Sequence, residues 1–554
     1  MPVVNIRVDK LRELLGVDMP VQELAEHIAS LGMSVEETDS VLKVEYNPNR
    51  PDFSSVYGVA RALKTYLGIK TGLQDYRFVK SDVVMYVDRS VEDVRPYIAC
   101  AVVKNLELDE EELVDIIAMQ EDLHWVLGRN RRKVAIGLHD MSAIVPPFRY
   151  KAVDMDEVRF VPLKDFRAMT PGEVLVKSEI GRKHAWLLRN MTKAPVIVDA
   201  RGEVFSMPPI VNAAITELSP GRRNVFIDVT GTEEGKVNQT LNILAAALAD
   251  AGGKVRQVKI VYGRKHVYTP DTRPHKMTLD VSLASRLIGI DLSPRKAAML
   301  LKRMGMDSRV AGNKLIVSYP AYRVDLLHPV DLVEDISIAY GYNRMTPEKL
   351  RSNTYGGLLP TTQFVEVVSE IMIGLGYTEV HNLVLTNEGA HYRLMEVEES
   401  SHVRLANPAT KEYTMLRTSL IPSILSTLSF NKDNLYPQKI YEIGDVVELA
   451  EFVPEKTIRK KHLAAATCHT NATYSEVKST LDELFNQLNI QPEYGTGNLN
   501  TFIRGRCAAI YVDRVLIGYA GEVSPKVLEN IGVYMPVAAF EISLEHLMKK
   551  PENL

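Results

Sequence analysis

Four carboxylates in one short stretch, Asp325, Asp331, Glu334 and Asp335, have the type and spacing to hold a hard cation. The last three stand at i, i+3 and i+4, so on a helix they share one face, and Asp325 approaches from the preceding loop. Oxygen donors without Cys or His close by suit Mg²⁺ better than Zn²⁺, because magnesium accepts carboxylates and keeps several waters. The same residues also read as the acidic first turn of a solvated helix, where negative charge favours the macrodipole.

An internal repeat bears on the choice. Residues 14–69 and 287–342 align without a gap at one constant offset, with identities that include Gly16/Gly289, Gly32/Gly305, Tyr46/Tyr319, Arg50/Arg323 and Asp52/Asp325. Where the second copy has Asp331, Glu334 and Asp335, the first has Gly58, Arg61 and Ala62. The shared fold does not require acids there, which favours a magnesium site in the second copy. In that copy Ser293-Pro294 supplies an N-cap and a first-turn ring, and Gly305 a stop, so the sequence predicts a helix over 294–304. Residues 314–319 alternate like a strand, and a second helix follows over 331–340, ended by Gly341. The expected module is helix, strand, helix, winged-helix-like and used twice.

The chain has 554 residues, 46% hydrophobic and 25% charged, with a net charge of −4. That length predicts roughly three to four domains of an ordinary soluble protein. No apolar run approaches the roughly 18 residues a membrane span needs, and residues 1–10 lack a signal-peptide core, so no membrane association and a cytoplasmic location are expected. Cys100, Cys468 and Cys507 are odd in number and far apart, which points to neither a disulfide framework nor a clustered metal site. The basic run Arg129-Asn130-Arg131-Arg132-Lys133 reads either as a solvated loop or as an RNA contact.

Composition divides the chain into a first repeat module over 1–78, an α/β module over 79–268, a second repeat module over 269–346 and a C-terminal domain over 355–554. The second part mixes strand-like runs at 98–103, 195–198 and 225–229 with helices at 110–125 and 239–249. A glycine-containing stretch at 351–360 reads as a linker. Beyond it, Phe364, Val368, Ile371, Met372 and Leu375 mark a helix face closed by Gly376, with a strand expected at 379–385. Strand-like runs at 402–406, 439–447, 508–512, 515–520 and 537–542 surround one amphipathic helix carrying Val477, Leu481, Leu484 and Phe485, the pattern of an antiparallel sheet with helices.

Three ordered motifs carry a resemblance. They are Tyr46-Asn47-Pro48-Asn49-Arg50-Pro51-Asp52; Tyr322-Arg323-Val324-Asp325 running on to Asp331-Leu332-Val333-Glu334-Asp335; and Leu416-Arg417-Thr418-Ser419-Leu420 followed by Tyr441-Glu442-Ile443-Gly444-Asp445. Together they resemble the β subunit of phenylalanine–tRNA ligase, over essentially the whole chain and in its shorter archaeal and eukaryotic type. The resemblance implies a multidomain α/β and α+β fold: two homologous helix-strand-helix modules flanking an editing module, then a degenerate class II synthetase antiparallel-sheet domain. It implies an α subunit as partner in an α₂β₂ heterotetramer, tRNA(Phe) and ATP as substrates of the complex, and Mg²⁺ on Asp325, Asp331, Glu334 and Asp335 at a site shared with α. Residues 537–547 lack the glycine-rich, arginine-terminated third motif of class II synthetases, so a usual partner for ATP phosphate charge is missing. Activation of phenylalanine is therefore expected on α, and no residue of this chain is expected to catalyse aminoacylation.

The resemblance also places hydrolysis of mischarged tyrosyl-tRNA(Phe) in residues 79–268. An apolar pocket rejects a ligand that merely adds a hydroxyl by only about 10²-fold, so a second, hydrolytic site is useful. The candidates are Ser206, Pro208, Pro209, Asn212, Thr216, Asp228 and Thr230, with His139 as a possible participant. Asp228 and Thr230 leave one side of a strand at period two. The same residues near Gly231 also read as a turn capping the following helix. No Ser–His–Asp or Cys–His arrangement is visible, so the chemistry expected is a positioned water with electrostatic help. Two further readings compete: a non-catalytic, tRNA-binding scaffold of the same complex, and a DNA-binding regulator using residues 294–304 (Arg295, Lys296, Lys302, Arg303) as a recognition helix. The equivalent first-copy helix has Glu23 and Glu26 and no Lys or Arg, so the copies could not read two half-sites alike.

Overall fold

Each copy of the repeat folds as a strand, two helices, a β-hairpin and a third helix. A computed structural model describes residues 2–37, 40–349 and 354–548. In the first copy these elements are Val3–Arg7, Val8–Leu15, Val21–Ser30, Ser34–Glu37, Val41–Glu45 and Val56–Tyr66. The second repeats them as His275–Asp280, Val281–Ile288, Pro294–Arg303, Asp307–Ala311, Lys314–Tyr319 and Pro329–Tyr340. Both three-stranded sheets place the hairpin's second strand in the middle. The module is therefore larger than helix, strand, helix: the alignment began one strand late, because Val3–Arg7 and His275–Asp280 share fold but little sequence. Ser293 caps its helix as expected, its hydroxyl accepting from the Lys296 N–H at 3.2 Å, and Gly305 stops it at φ +75°.

The chain forms two compact units, Met1–Lys349 and Leu350–Leu554. In the first, both repeat modules and the segment between them share one apolar core, to which Leu11, Leu24 and Val59, then Val103, Leu123 and Leu244, then Leu300, Leu315 and Ile336 contribute. The three segments read as separate modules thus complete one another's interior. The middle segment is built on a sheet ordered Val211–Asn212, Val204–Met207, Lys193–Val198, Phe148–Asp154, Val79–Val87, Lys254–Tyr262, Tyr97–Leu108, Gly221–Gly231, Val134–Asp140, with Lys265–Thr269 paired to Lys254–Tyr262. It curls until its ends approach, the Asn212 Nδ2 donating to the Leu138 carbonyl at 3.4 Å. Phe148, Phe205, Phe226 and His139 pack edge-on and tilted inside the curl.

In the second unit a seven-stranded sheet runs Thr378–Glu379, Gln438–Leu449, Thr457–Cys468, Val537–Ser543, Val515–Val523, Phe502–Val512, Glu493–Thr496. All its pairings are antiparallel except the first. Helices Pro360–Gly374 and Tyr474–Gln487 share one apolar layer with Phe540, while Ile421–Phe430 and Pro525–Ile531 share another with Ala539. Successive residues of a strand point to opposite faces, so both faces of the sheet are covered. The strand expected at 379–385 is instead two two-residue pieces, Thr378–Glu379 and Leu385–Thr386, in different sheets, and 402–406 contributes one bridge, Arg404 to Met415. Of the 351–360 linker, residues 351–353 lie outside the described residues.

Candidate functional site

The seam where the middle sheet's ends approach encloses a pocket of about 300 Å³. Ser206, Pro208, Pro209, Asn212, Thr216 and Asp228, all singled out from sequence, line it. The Ser206 hydroxyl donates to Asn212 Oδ1 at 3.3 Å, fixing the amide across the short hairpin. Asp228 comes from the strand Gly221–Gly231 and is 1% exposed; its Oδ2 faces His139 Nε2 at 2.7 Å. His139 Nδ1 in turn meets the Thr216 hydroxyl at 2.9 Å, and that hydroxyl also reaches the Ala213 carbonyl at 3.1 Å. His139 is fully buried, so it orients Asp228 from behind and does not reach the cavity's contents.

Thr230 does not join this group. It is buried elsewhere: its hydroxyl and carbonyl accept from Arg95 Nε at 3.0 Å and Nη2 at 2.8 Å. Period two puts it on the same face as Asp228, but two residues along a strand is a displacement of about 7 Å, enough to leave the pocket. The turn expected at Gly231 is absent too, since the strand runs through it and helix Glu234–Asp250 starts without a side-chain cap.

A second set of polar residues in the wall has no motif to announce it. The Ile136 N–H donates to His124 Nε2 at 2.8 Å, which puts the ring proton on Nδ1, where it meets Glu121 Oε1 at 3.1 Å. The same oxygen accepts from Arg131 Nη2 at 2.7 Å, and Arg131 Nη1 donates to the Ile210 carbonyl at 3.0 Å. Burial works to raise the Glu121 pKa, but His124 and Arg131 outweigh it and hold the carboxyl at about 2. This chain of bonds ties helix Glu110–Val126 to the Pro208-Pro209-Ile210 side of the pocket. It also absorbs Arg131 from the basic run, while Arg132 lies over the Trp186 ring at 5.3 Å and Lys133 pairs with Glu233.

The acidic set divides in two. Arg323, 5% exposed, is bidentate to Asp325 at 2.9 and 2.7 Å and reaches Asp335 at 2.8 Å. Burial works to raise the Asp325 pKa, yet Arg323 and Arg50 bring it down to about 2. In the first copy Arg50 clasps Asp52 in the same way, at 2.9 and 2.8 Å, and Arg50 stands 3.9 Å from Asp325, so the equivalent pairs of the two copies abut. Asp331 caps its own helix, its Oδ2 accepting the Leu327 and His328 N–H groups at 2.7 and 2.6 Å, and Glu334 is exposed. Among the described residues no three metal-binding side chains converge. A guanidinium occupies the space between two of the four expected ligands, so the set as arranged does not fit a magnesium cage within this chain; Asp331 and Glu334 alone are accessible.

Comparison with known proteins decides the family. The chain is 41% identical to the phenylalanine–tRNA ligase β subunit of Archaeoglobus fulgidus, over the full length of both. It belongs to the phenylalanine–tRNA ligase β-subunit family. The corresponding protein of Methanocaldococcus jannaschii is 37% identical over 98% of this chain and the whole of the relative. The family profile of the tRNA synthetase B5 domain matches residues 277–342, and that of the phenylalanyl-tRNA synthetase β-chain CLM domain matches 347–544. A crystal structure of an N-terminal fragment of the phenylalanyl-tRNA synthetase β subunit from Pyrococcus horikoshii superposes with a TM-score of 0.59 at 37% identity, covering 61% of this chain and 99% of the fragment.

Two details of this phenylalanine–tRNA ligase β-family chain answer sequence expectations. Arg417, in the last of the three resembling motifs, is 1% exposed and paired with the fully buried Glu442 at 2.7 Å. On Pro294–Arg303, Arg303 is fixed inside the unit: it donates to the Tyr66 carbonyl at 3.0 and 2.7 Å and to the Ala339 carbonyl at 2.9 Å. Lys296 lies over the Tyr340 ring at 5.1 Å. A recognition helix needs such side chains free, and the DNA-reader alternative loses them.

Proposed function

We propose that this chain acts as the β subunit of phenylalanine–tRNA ligase: with an α subunit, in an α₂β₂ heterotetramer, it supports ATP-dependent attachment of phenylalanine to tRNA(Phe), and by itself it hydrolyses tyrosyl-tRNA(Phe). The observation that carries the hydrolytic reading is the pocket at the sheet seam, which gathers six of the seven residues named for that role. Its volume suits one aromatic side chain with its ester group. In this reading Asp228, held by His139, and the Asn212 amide bind the tyrosyl group's polar atoms. The apolar Pro208-Pro209-Ile210 side packs on the ring. A water oriented at the carbonyl forms the new C–O bond as the ester bond to the ribose breaks, its proton passing to the departing oxygen. No nucleophilic side chain is needed, and tyrosine and free tRNA are the products. Phenylalanine activation belongs to α, in keeping with the burial of Arg417.

The test is deacylation of tyrosyl-tRNA(Phe) by the purified complex. Hydrolysis lost in Asp228→Asn, with phenylalanylation intact, is the expected result; no hydrolysis above that of α alone leaves the scaffold reading. We assign Asp331 and Glu334 as the residues that would meet a magnesium ion shared with α, whose Lewis acidity would supply charge neutralisation at that junction. If changing both to Asn and Gln leaves subunit association at limiting magnesium unaltered, the assignment fails.

A further inference from the structure

The loop over 160–169 borders the seam pocket and is pinned at its base from two sides. Phe160 and Met169 pair across it, the N–H of each donating to the carbonyl of the other at 3.1 and 2.8 Å. The Leu163 N–H also donates to the Asn212 carbonyl at 2.8 Å, and the Ala214 N–H to the Val161 carbonyl at 2.9 Å. The loop is therefore fixed to the strand that carries Asn212, and Leu163 and Lys164 line the pocket.

Above those anchors the tip is displayed to solvent. Lys164 is exposed and has φ +65°, a conformation uncommon for a residue with a Cβ. Such strain persists only where the surroundings fix it, and it collects at functional places. Neither Lys164 nor Arg167 has an ion partner among the described residues, and the Phe166 ring between them is 97% exposed. A lone exposed phenylalanine needs no explanation. One set between two free cations, on an anchored loop beside a pocket, has the parts that hold single-stranded nucleic acid: a ring for a base and cations for the phosphates.

The facing rim has the same character. Helix Glu179–His184 brings Ile180 to the pocket, and Lys183, one turn on, has no ion partner among the described residues. Arg132 lies over Trp186, itself 39% exposed. His184 registers the local field: burial first, then the positive charges of Arg131 and Lys183, lower its pKa to about 4. Asp165 and Glu217 also stand on this loop and in the pocket wall, and the cations outnumber them.

We propose that the loop 160–169 seats the single-stranded 3′ end of the tRNA, with Phe166 stacked on a terminal base and Lys164 and Arg167 holding the adjoining phosphates. This rests on the hydrolysis proposed above: an ester bound in the pocket puts the 3′-terminal ribose at its rim, beside Lys164. The loop positions the RNA and takes no part in breaking the bond.

The probe is Phe166→Trp in the full α–β complex, with the signal of Trp125 and Trp186 subtracted from the unsubstituted complex. Its fluorescence should be quenched by uncharged tRNA(Phe) and not by the same tRNA lacking its last three nucleotides. Phe166→Ala should lower kcat/KM for tyrosyl-tRNA(Phe) deacylation about tenfold, whereas Phe166→Trp, which restores a stacking ring, should stay within about twofold. Lys164→Asn, which tolerates the left-handed backbone, should lower it too and make its log–log dependence on salt shallower by about 0.7. Phenylalanylation should be unchanged in all three. A quench that is absent, or equal with the shortened tRNA, overturns the proposal, as does deacylation untouched by Phe166→Ala. If the unsubstituted complex deacylates nothing, the hydrolytic reading falls by itself, and the quench alone decides whether this loop holds the RNA end.

Discussion

Gly137 has no side chain, and the pocket at the sheet seam depends on that. A Cβ there would stand 2.0 Å from Asp228 Oδ2 and 2.5 Å from His139 Nε2. Gly137→Ala must therefore displace the Asp228–His139 pair; we expect tyrosyl-tRNA deacylation to be lost, phenylalanylation to persist, and stability to fall by about 1–3 kcal/mol in a thermal melt. At the acidic cluster, Arg323→Met leaves Asp335 buried without its partner and Asp325 with only Arg50 at 3.9 Å, for an expected loss of about 3–5 kcal/mol in urea unfolding. His391 gives a pH dependence. Its folded pKa of about 4 lies below the ~6.5 of a free histidine, so its contribution is fully present above about 6.5 and is lost as pH falls toward 4. The denaturant midpoint of the C-terminal unit should drop over that window, and less steeply in His391→Phe. Residues whose type is unusual for their place were legible from sequence, as Asp228 and Asn212 were beside apolar runs. Glu121, His124 and Arg131 were not, because a helix face and a basic loop look solvated until a distant strand supplies the Ile136 and Ile210 backbone groups. Nor could spacing show that Arg323 would stand between Asp325 and Asp335.

Elements with local signals were the ones that could be read in advance. Helix Glu110–Val126 opens on a capping box, the Glu112 N–H donating to Asp109 Oδ1 at 2.7 Å and the Asp109 N–H to Glu112 Oε2 at 3.1 Å. Asp109→Ala should cost about 1 kcal/mol, measured by melting temperature, and loosen the helix that carries Glu121 and His124. The strand Thr457–Cys468 was missed although it is central in its sheet. Its first half, Arg459-Lys460-Lys461-His462, is polar where Lys460 and Lys461 pair across the sheet with Glu448 and Asp445, a pattern that apolar alternation does not detect. The pieces at Thr378–Glu379 and Leu385–Thr386 failed for the opposite reason: the residues are apolar and β-branched enough for a strand, but tertiary pairing interrupts them.

At the scale of the molecule, the seam pocket and both repeats lie within Met1–Lys349. We expect residues 1–349 to unfold cooperatively in urea with coincident fluorescence and circular dichroism transitions, and non-coincident curves would refute this. The merging of three segments into one interior was not legible, since periodicity shows which face is apolar but not what covers it. That merging has a consequence for biosynthesis. The chain leaves the ribosome from its N-terminus, and the first copy emerges long before its partners: Asp250 and Tyr322 for Arg61, and Arg303 for the end of helix Val56–Tyr66. Its exposed apolar face must wait, shielded by chaperones or by the nascent middle sheet, until Ile336 and Ala339 have been made. A stalled or truncated message ending anywhere in the second copy would yield a product for disposal, not a smaller working protein.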